Sequence, residues 1–411
     1  MPAKQKMPGN RSKPAAERHW NRCMRVRTAS TGWIICSTGW KEENDMKYRV
    51  NRKTNDRVSE IGIGSSYMYE AGREEAVKAL RKAVEGGINY FDLAAGHGDS
   101  FPIYGEALHE YRNQIFYQIH FGADYTKGDY GWSLDLETVK ASVKWMLEQL
   151  RTDYIDYGFI HCQDEISDWE EYKKNGIYDY ILELKQKGIV RHIGLSSHTP
   201  HVINRILDEA DVDMLMFSVN AGYDCGKGQY AYGESDEREA IYQRCAKEGI
   251  GITVMKPFSG GQLLDEKTSP FGKALTVHQC LKYVLDRPGV LVALPGAQSV
   301  EQVEDLLDFY NKTDEELDYS VISSISPAKT SGKCVYCNHC KPCPMGIDIG
   351  LVNKYYDLAL AGDLMAKDHY RSLEKNASDC IGCGHCDSRC PFSVHQSERM
   401  AEIREYMESG E

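Results

Sequence analysis

The chain has 411 residues, with 49 Lys plus Arg against 61 Asp plus Glu, a formal net charge of −12, 42% hydrophobic residues and 14 Cys. Length and apolar content exclude a disordered chain and suit one large domain with a small one. The acidic balance excludes a nucleic-acid binder that works through a broad basic surface. No apolar run reaches the roughly 18 residues a membrane span needs, and no apolar core of a secretion signal is present.

Residues 1–45 hold nine Lys/Arg and four Asp/Glu, a net of +5 that leaves −17 for the rest. With no periodic apolar pattern, they are expected to be a disordered arm or mis-assigned leader ahead of Met46. From Val58 the chain repeats a short apolar strand, a turn and an amphipathic helix. Expected strands are Val58–Gly64, Ile88–Ala94, Ile115–His120, Tyr154–His161, Val190–Leu195, Val212–Val219, Ile250–Met255 and Val290–Leu294. The intervening helices are Glu74–Glu85, Ile103–Tyr111, Leu136–Leu150, Trp169–Lys187, Pro200–Glu209, Glu237–Lys247, Lys273–Leu285 and Val300–Tyr310. Eight strands alternating with eight helices predict an α/β fold, a (β/α)8 TIM barrel over 46–315.

The C-terminal strand ends of such a barrel build the active site. They carry Asp92, His120, His161, His198, Asn220 and Lys256, with His97 in the turn after the second strand. Asp92, His97, His120 and His161 come from three consecutive strands and are expected to lie together. Two loops, Phe121–Ser133 and Ala221–Ser235, are long and aromatic. They suit a lid over a flat or sugar-like substrate, or a surface packed against the C-terminal domain.

The segments Gly86–Leu108, Leu150–Asp164, Gly188–His198 and Ala293–Leu307 resemble, in order, signature segments of the aldo-keto reductase family, in the branch with an appended iron–sulfur segment. The resemblance implies catalysis by an Asp, a Tyr, a Lys and a His on a small carbonyl-like substrate. Asp92 and His161 match that set. The Tyr position holds His97 and the Lys position His120, and Tyr104 sits elsewhere in the motif. A Tyr needs a cationic neighbour because its ordinary pKa is near 10, whereas a His titrates near neutrality unaided. Carbonyl reduction with His97 as general acid is therefore compatible with the sequence. So are acid–base chemistry without hydride transfer and a metal-dependent lyase or hydrolase, since three His and a carboxylate suit Zn or Fe. Ser196, Asn220, Gly296, Ser299 and Gln302 resemble the family's NAD(P) contacts, and Lys256 offers a charge to cofactor or substrate. The usual Gln and aromatic before Asn220 are replaced by Met216 and Val219, and the strand-5 Asn by Ser197.

Eight Cys fall in two runs, Cys334, Cys337, Cys340, Cys343 and Cys380, Cys383, Cys386, Cys390, each followed by Pro. The second run has the C-x2-C-x2-C-x3-C-P spacing of [4Fe–4S] ligation, and the first differs by one residue. Three close thiolates serve one cubane while the Cys before Pro reaches the other. Cys334, Cys337, Cys340 and Cys390 are thus expected on one cluster, with Cys343, Cys380, Cys383 and Cys386 on the second. Helical stretches Leu351–Leu360, Leu364–Leu373 and Ser397–Met407 make residues 316–411 resemble an α-helical ferredoxin domain. The combination predicts a cytoplasmic, oxygen-sensitive iron–sulfur oxidoreductase acting on a small molecule. Its clusters either feed electrons to the barrel, or brace the domain and dock an electron-transfer protein.

Overall fold

The computed structural model describes residues 46–66, 68–94, 96–325, 332–360, 366–390 and 392–408. The expected N-terminal arm, 1–45, lies outside them. A hairpin of β1 (Tyr48–Val50) and β2 (Arg57–Ser59) precedes the barrel. Next come β3 (Ile63–Gly64), β4 (Tyr90–Asp92) and β5 (Phe116–Phe121), then a small loop pair, β6 (Ala123–Asp124) and β7 (Gly131–Trp132). The remaining strands are β8 (Ile155–Ile160), β9 (Val190–Ser197), β10 (Met214–Ser218), β11 (Gly251–Met255) and β12 (Val290–Ala293). All eight barrel strands run parallel in the order β3–β4–β5–β8–β9–β10–β11–β12. The ring closes where the Gly62 amide donates to Ala293 O (2.8 Å) and the Gly64 amide to Pro295 O (2.9 Å). The sequence-expected (β/α)8 barrel is the fold.

Period-two alternation along each strand divides the side chains between two cores. Tyr90, Tyr157, Phe159, Met214, Met216, Val292 and Leu294 fill the barrel interior. Leu80, Phe91, Ile119, Met146, Leu195 and Leu281 belong to the larger core between strands and helices. Gly194 is needed inside, because a Cβ there would meet the Phe159 ring at 2.4 Å. The β1–β2 hairpin seals the base: Tyr157 donates to Asp56 Oδ2 (2.6 Å) and Asn51 Nδ2 to Asp213 O (3.0 Å). With the floor closed, only the opposite end is left for a substrate.

Several boundaries shift from expectation, and three of the shifts have clear local reasons. The stretch Val58–Gly64 is divided, since Arg57–Ser59 pairs antiparallel with β1 and only Ile63–Gly64 runs beside β4. The helix expected over Trp169–Lys187 is two, Ile166–Lys174 and Ile177–Gln186, broken at Gly176 with φ +79°; a left-handed residue cannot continue a helix. The helix expected from Lys273 starts at Val277, because extended Thr276 caps it in a reciprocal capping box with Gln279.

Beyond the barrel, helices Ile349–Leu360, Ala366–Arg371 and Gln396–Glu408 bury Val352, Tyr370, Met400, Ile403 and Met407 in a separate small core. This helical region is fastened to the barrel's flank. Arg287 donates to Val335 O (2.6 Å), Tyr319 to Tyr336 O (3.2 Å), and Phe392 and Val394 join the barrel's outer core. Among the described residues, no helix is long and apolar enough to cross a membrane.

Lys354 lies at this junction, its Nζ 3.5 Å from Leu285 O. Burial pushes its ammonium down to about 7, against the pull of Asp286; Arg49, Lys282 and Arg287 push the same way as burial. The folded chain then releases this proton near pH 7, while the unfolded chain holds it to roughly pH 10. In that window the unfolded state binds more protons, so stability rises with pH. Unfolding midpoints measured from pH 6 to 9 should climb for the wild type, and Lys354→Met should remove most of the climb while raising the midpoint at pH 6. An identical slope in both proteins would contradict this.

Candidate functional site

The pleat of β4, β5 and β8 turns Asp92, His120 and His161 inward at the barrel's open end. Asp92 is 3% exposed and His120 fully buried. Their side chains form one hydrogen-bonded series. Asp92 Oδ1 lies 2.8 Å from His120 Nε2, His120 Nδ1 lies 3.1 Å from His161 Nδ1, and His161 Nε2 lies 2.8 Å from the Tyr130 hydroxyl. Gln118 supports the series from below. Its Oε1 accepts from Tyr90 (2.8 Å), and its amide nitrogen sits 3.3 Å from His120 Nε2 and 3.2 Å from the Met216 sulfur. Burial, then the neighbouring His120 and His198, hold His161 well below the ordinary histidine range. It is therefore a neutral imidazole at physiological pH, able to accept a proton.

His97 is placed apart from this series. Its Nδ1 accepts from the Asp99 amide (3.1 Å), its Nε2 lies 3.8 Å from Asp129, and its ring packs on Tyr69. Of the four expected catalytic residues, the structure thus joins Asp92, His120 and His161 directly. His97 makes no side-chain hydrogen bond to them among the described residues, and its turn meets the Tyr130 loop through a backbone bridge to Asp129. Tyr104 is fully buried on the helix Ser100–Leu108, edge-on to Phe91, and its hydroxyl has no hydrogen-bond partner among the described residues.

A second polar group faces the same mouth from β8, β9 and β11. Asp164 accepts from the His198 amide (2.7 Å), and its Oδ2 lies 2.9 Å from His198 Nδ1; Lys256 Nζ is 3.4 Å from His198 Nε2. Cys162 Sγ lies 3.7 Å from Asp164 Oδ2. Tyr230 stacks on the His198 ring at 4.9 Å and holds Lys256 Nζ 4.2 Å over its own ring. Cys162 and Lys256 both have positive φ, +47° and +57°, strain that persists only where surrounding structure enforces it. Burial pushes the Cys162 thiol up to about 12 and the Lys256 ammonium down, the latter opposed by the charges of Cys162, Asp164 and Asp92. Cys162, Asp164 and His198 offer ligand atoms within 4.8 Å of one another.

Sequence reasoning misses Tyr130, Cys162, Asp164 and Gln118 as individual members of the mouth. Tyr130 is visible in the sequence only as one aromatic among several in the loop Phe121–Ser133. The two aromatic loops do reach the mouth, through Tyr130 and Tyr230. The second also touches the helical region, since Cys225 and Ser235 line a cavity with Cys334 and Phe392.

The positions expected to hold a dinucleotide are differently occupied. Ser196 is buried at the end of β9, where its carbonyl accepts from the Gln163 amide (3.0 Å). Gln163 is fully buried, and its Oε1 has no partner among the described residues. Asn220 is committed to the fold, accepting from the Tyr223 amide (2.9 Å) and donating to Lys256 O (2.9 Å). Gly296 is open, since a Cβ there would meet nothing within 4 Å. Ser299 caps the helix Val300–Leu307, and Gln302 folds back on the Gln298 amide (2.6 Å). The Val300 amide, where an anion would sit at this helix N-terminus, donates to the Glu75 carboxylate (3.0 Å).

In the helical region, Cys334, Cys337, Cys340 and Cys390 line one cavity, and Cys343, Cys380, Cys383 and Cys386 line another. The terminal Cys of each run is thus exchanged between the two cavities. Arg389 donates to Lys341 O (2.7 Å), bringing the two Cys runs together. Backbone amides already point at sulfur: Val394 N lies 3.4 Å from Cys390 Sγ, and Gly382 N lies 3.5 Å from Cys380 Sγ. Such contacts tune cluster potentials. Two closed four-sulfur sets of this kind fit cubane clusters. The first packs Cys334, Cys337 and Cys390 against the barrel core, whereas Cys383 of the second is exposed.

Residues 60–279 match the family model described as the aldo/keto reductase family, and residues 330–394 match that of a 4Fe-4S dicluster domain. Similar curated proteins include an uncharacterized oxidoreductase, YqkF, of Bacillus subtilis, 25% identical over 63% of this chain and 90% of that one. L-galactose dehydrogenase of Arabidopsis thaliana is 26% identical over 63% and 86%. Among solved structures, the holo form of aldo-keto reductase AKR11C1 from Bacillus halodurans shares the fold with a TM-score of 0.56 and 23% identity, over 69% of this chain and 97% of that one. An aldo-keto reductase from Klebsiella pneumoniae in complex with NADPH follows at 0.50 and 21%, over 66% and 93%. The chain belongs to the aldo/keto reductase family of oxidoreductases, which act on small-molecule substrates, and carries a 4Fe-4S dicluster domain C-terminal to its barrel.

Proposed function

We propose that this chain interconverts a small alcohol and its carbonyl compound at the barrel mouth, with histidines doing the proton work that a Tyr–Lys pair does elsewhere in the family. The buried series Asp92–His120–His161 carries the reading. Asp92 fixes the His120 ring, His120 fixes the His161 ring, and His161 takes the proton of a bound alcohol or returns it to a carbonyl oxygen. His97, in the turn bridged to Asp129, completes the expected set. Relatives named for both directions, a D-galacturonate reductase and an L-galactose dehydrogenase, support a small hydroxylated substrate.

A nicotinamide dinucleotide fits one half of its site better than the other. Gln163, whose main chain pairs with Ser196 O and whose Oε1 has no partner among the described residues, offers an acceptor suited to a carboxamide. Gly296 leaves room for a close backbone approach, and Lys256 supplies a positive charge. When bound, the cofactor would accept or deliver a hydride. At the helix N-terminus of Ser299 and Gln302, however, Glu75 already holds the anion position. The fit therefore favours a dinucleotide without an additional phosphate. Glu75→Gln should tighten NADPH binding by about fivefold to tenfold, the size of one removed like-charge contact, measured by nicotinamide fluorescence. Unchanged affinity would move the phosphate elsewhere.

We read residues 46–315 as the barrel domain and 316–411 as a cytoplasmic-type domain with two [4Fe–4S] clusters, ligated by the two Cys sets above. The Cys334 set, against the barrel, is the inner cluster. The Cys380 set, beside exposed Cys383 and 63%-exposed Ile381, is the outer one, open to an electron-transfer protein. Anaerobic protein should hold about eight iron per chain. Cys343→Ser should alter the EPR signal of the outer cluster and Cys390→Ser that of the inner one; the reverse would break the crossed assignment. NADH that neither binds nor, with substrate present, is oxidised would sink the hydride reading.

A second reading rests on Cys162, Asp164 and His198, three ligand types within 4.8 Å. A divalent metal there would make the barrel a lyase or hydrolase. The Lys256 ammonium beside His198 opposes a cation, so the first reading is preferred. Metal analysis of Cys162→Ala protein that shows one equivalent of zinc or non-cluster iron lost relative to wild type would favour the second.

A further inference from the structure

We infer that Tyr130, from the loop between β6 and β7, is the catalytic proton shuttle of this barrel, standing between the substrate oxygen and His161. The inference rests on the alcohol–carbonyl reading above. It starts from the polarity of the hydrogen-bonded series. A carboxylate only accepts, so the proton between Asp92 and His120 belongs to His120 Nε2. The Gln118 amide nitrogen, 3.3 Å from His120 Nε2, directs one of its two protons to the Met216 sulfur, and the shorter 2.8 Å contact to Asp92 takes the His120 proton. A neutral His120 then presents a lone pair at Nδ1, so His161 must donate from its Nδ1. His161 Nε2 is left as an acceptor, and the Tyr130 hydroxyl donates to it at 2.8 Å. Every donor in the series points the same way, from the mouth toward Asp92.

The phenol oxygen is the outermost atom of that series, and its lone pairs, which accept from no described residue, can take a hydrogen bond from a substrate hydroxyl. The Tyr130 ring is 43% exposed, yet burial of its hydroxyl end, with the charges of Cys162 and Asp164, holds its acidity far below that of a free phenol. It therefore stays protonated, and a neutral phenol is a poor base by itself. It need not be one, because its own proton can leave for His161 as the substrate's arrives.

In the oxidative direction the substrate O–H proton passes to the Tyr130 oxygen, and the Tyr130 proton passes to His161 Nε2. The C–H bond gives its electron pair and hydrogen, as hydride, to an oxidised nicotinamide dinucleotide. The products are the carbonyl compound, the reduced dinucleotide and a proton on His161, which then leaves for solvent. Reduction is the same sequence reversed.

The backbone shows why a phenol from this loop reaches the site. Asp129, the residue before Tyr130, forms an antiparallel bridge with His97, and the Tyr130 amide donates to Gly96 O (3.4 Å). The β6–β7 pair therefore carries Tyr130 to within one residue of the position where the family resemblance expects the catalytic Tyr. The ring is steadied by Tyr125 at 6.0 Å and His161 at 5.8 Å.

The test is Tyr130→Phe in the full-length protein with clusters intact, which keeps the ring and removes only the hydroxyl. With histidine labelled by nitrogen-15 and no cofactor added, the His161 Nε2 resonance should move toward that of an unbonded pyridine-type nitrogen. In turnover with NAD and a small sugar-type alcohol, kcat should fall about 100-fold, with KM within threefold. The proton inventory in mixed light and heavy water should change from curved, two protons in flight, to linear. A kcat within threefold of wild type, or an unmoved His161 resonance, would overturn the shuttle. Should the wild type transfer no hydride to either dinucleotide, the alcohol–carbonyl reading falls and takes the shuttle's reaction with it. A shifted resonance then still identifies Tyr130 as the donor to His161, which separates the two failures.

Discussion

A carboxylate buried at the mouth of an apolar barrel organises the hydrogen bonding of the polar groups around it. Asp92 is nearly inaccessible and needs donors to offset the cost of leaving water. The pleat of β5 supplies one in His120, and that single contact settles which nitrogen of each following ring carries a proton. Without it, the His120–His161 pair at 3.1 Å would be two equivalent neutral rings with no preferred direction. With it, the series has a polarity that ends in His161 Nε2 accepting from the Tyr130 hydroxyl.

The barrel and the helical region divide the remaining work. The sealed base confines chemistry to the opposite end, where two aromatic loops converge. Tyr130 comes down on His161 from one side, and Tyr230 on His198 and Lys256 from the other. The loop bearing Tyr230 also carries Cys225, which shares a cavity with Cys334. One continuous segment thus runs from the inner Cys set to the mouth, a short physical connection between the two parts of the protein. Arg287, buried and bonded to Val335 O, holds that junction in register.

Much of this is legible in the residues, and what is not has definite causes. The eight strands can be read because a strand's apolar run depends on its own residues and nearest turns. The helix expected over Trp169–Lys187 is two because its amphipathic pattern continues across Gly176, where the backbone turns left-handed. Asp92, His120 and His161 can be found because strand ends in a barrel share one rim. His97 groups with them on the same logic, but it sits in a turn, and turn residues follow local hydrogen bonds, here to Asp99 and Asp129, rather than the pleat. Tyr130 gives no signal beyond being aromatic, since its place depends on a bridge between two loops distant in sequence.

The sequence by itself determined the barrel, the pairing of a barrel with an iron–sulfur domain, and the identity of the eight clustered Cys. Those features rest on short-range periodicity and on ligand spacing, which neighbouring residues fully encode. Only the tertiary structure decided which histidines share one hydrogen-bonded series, that Glu75 occupies the helix N-terminus beside Ser299, and that a phenol from the β6–β7 loop meets His161. Those outcomes depend on hydrogen-bond direction and on contacts between loops, where a displacement of an ångström separates a partner from a bystander.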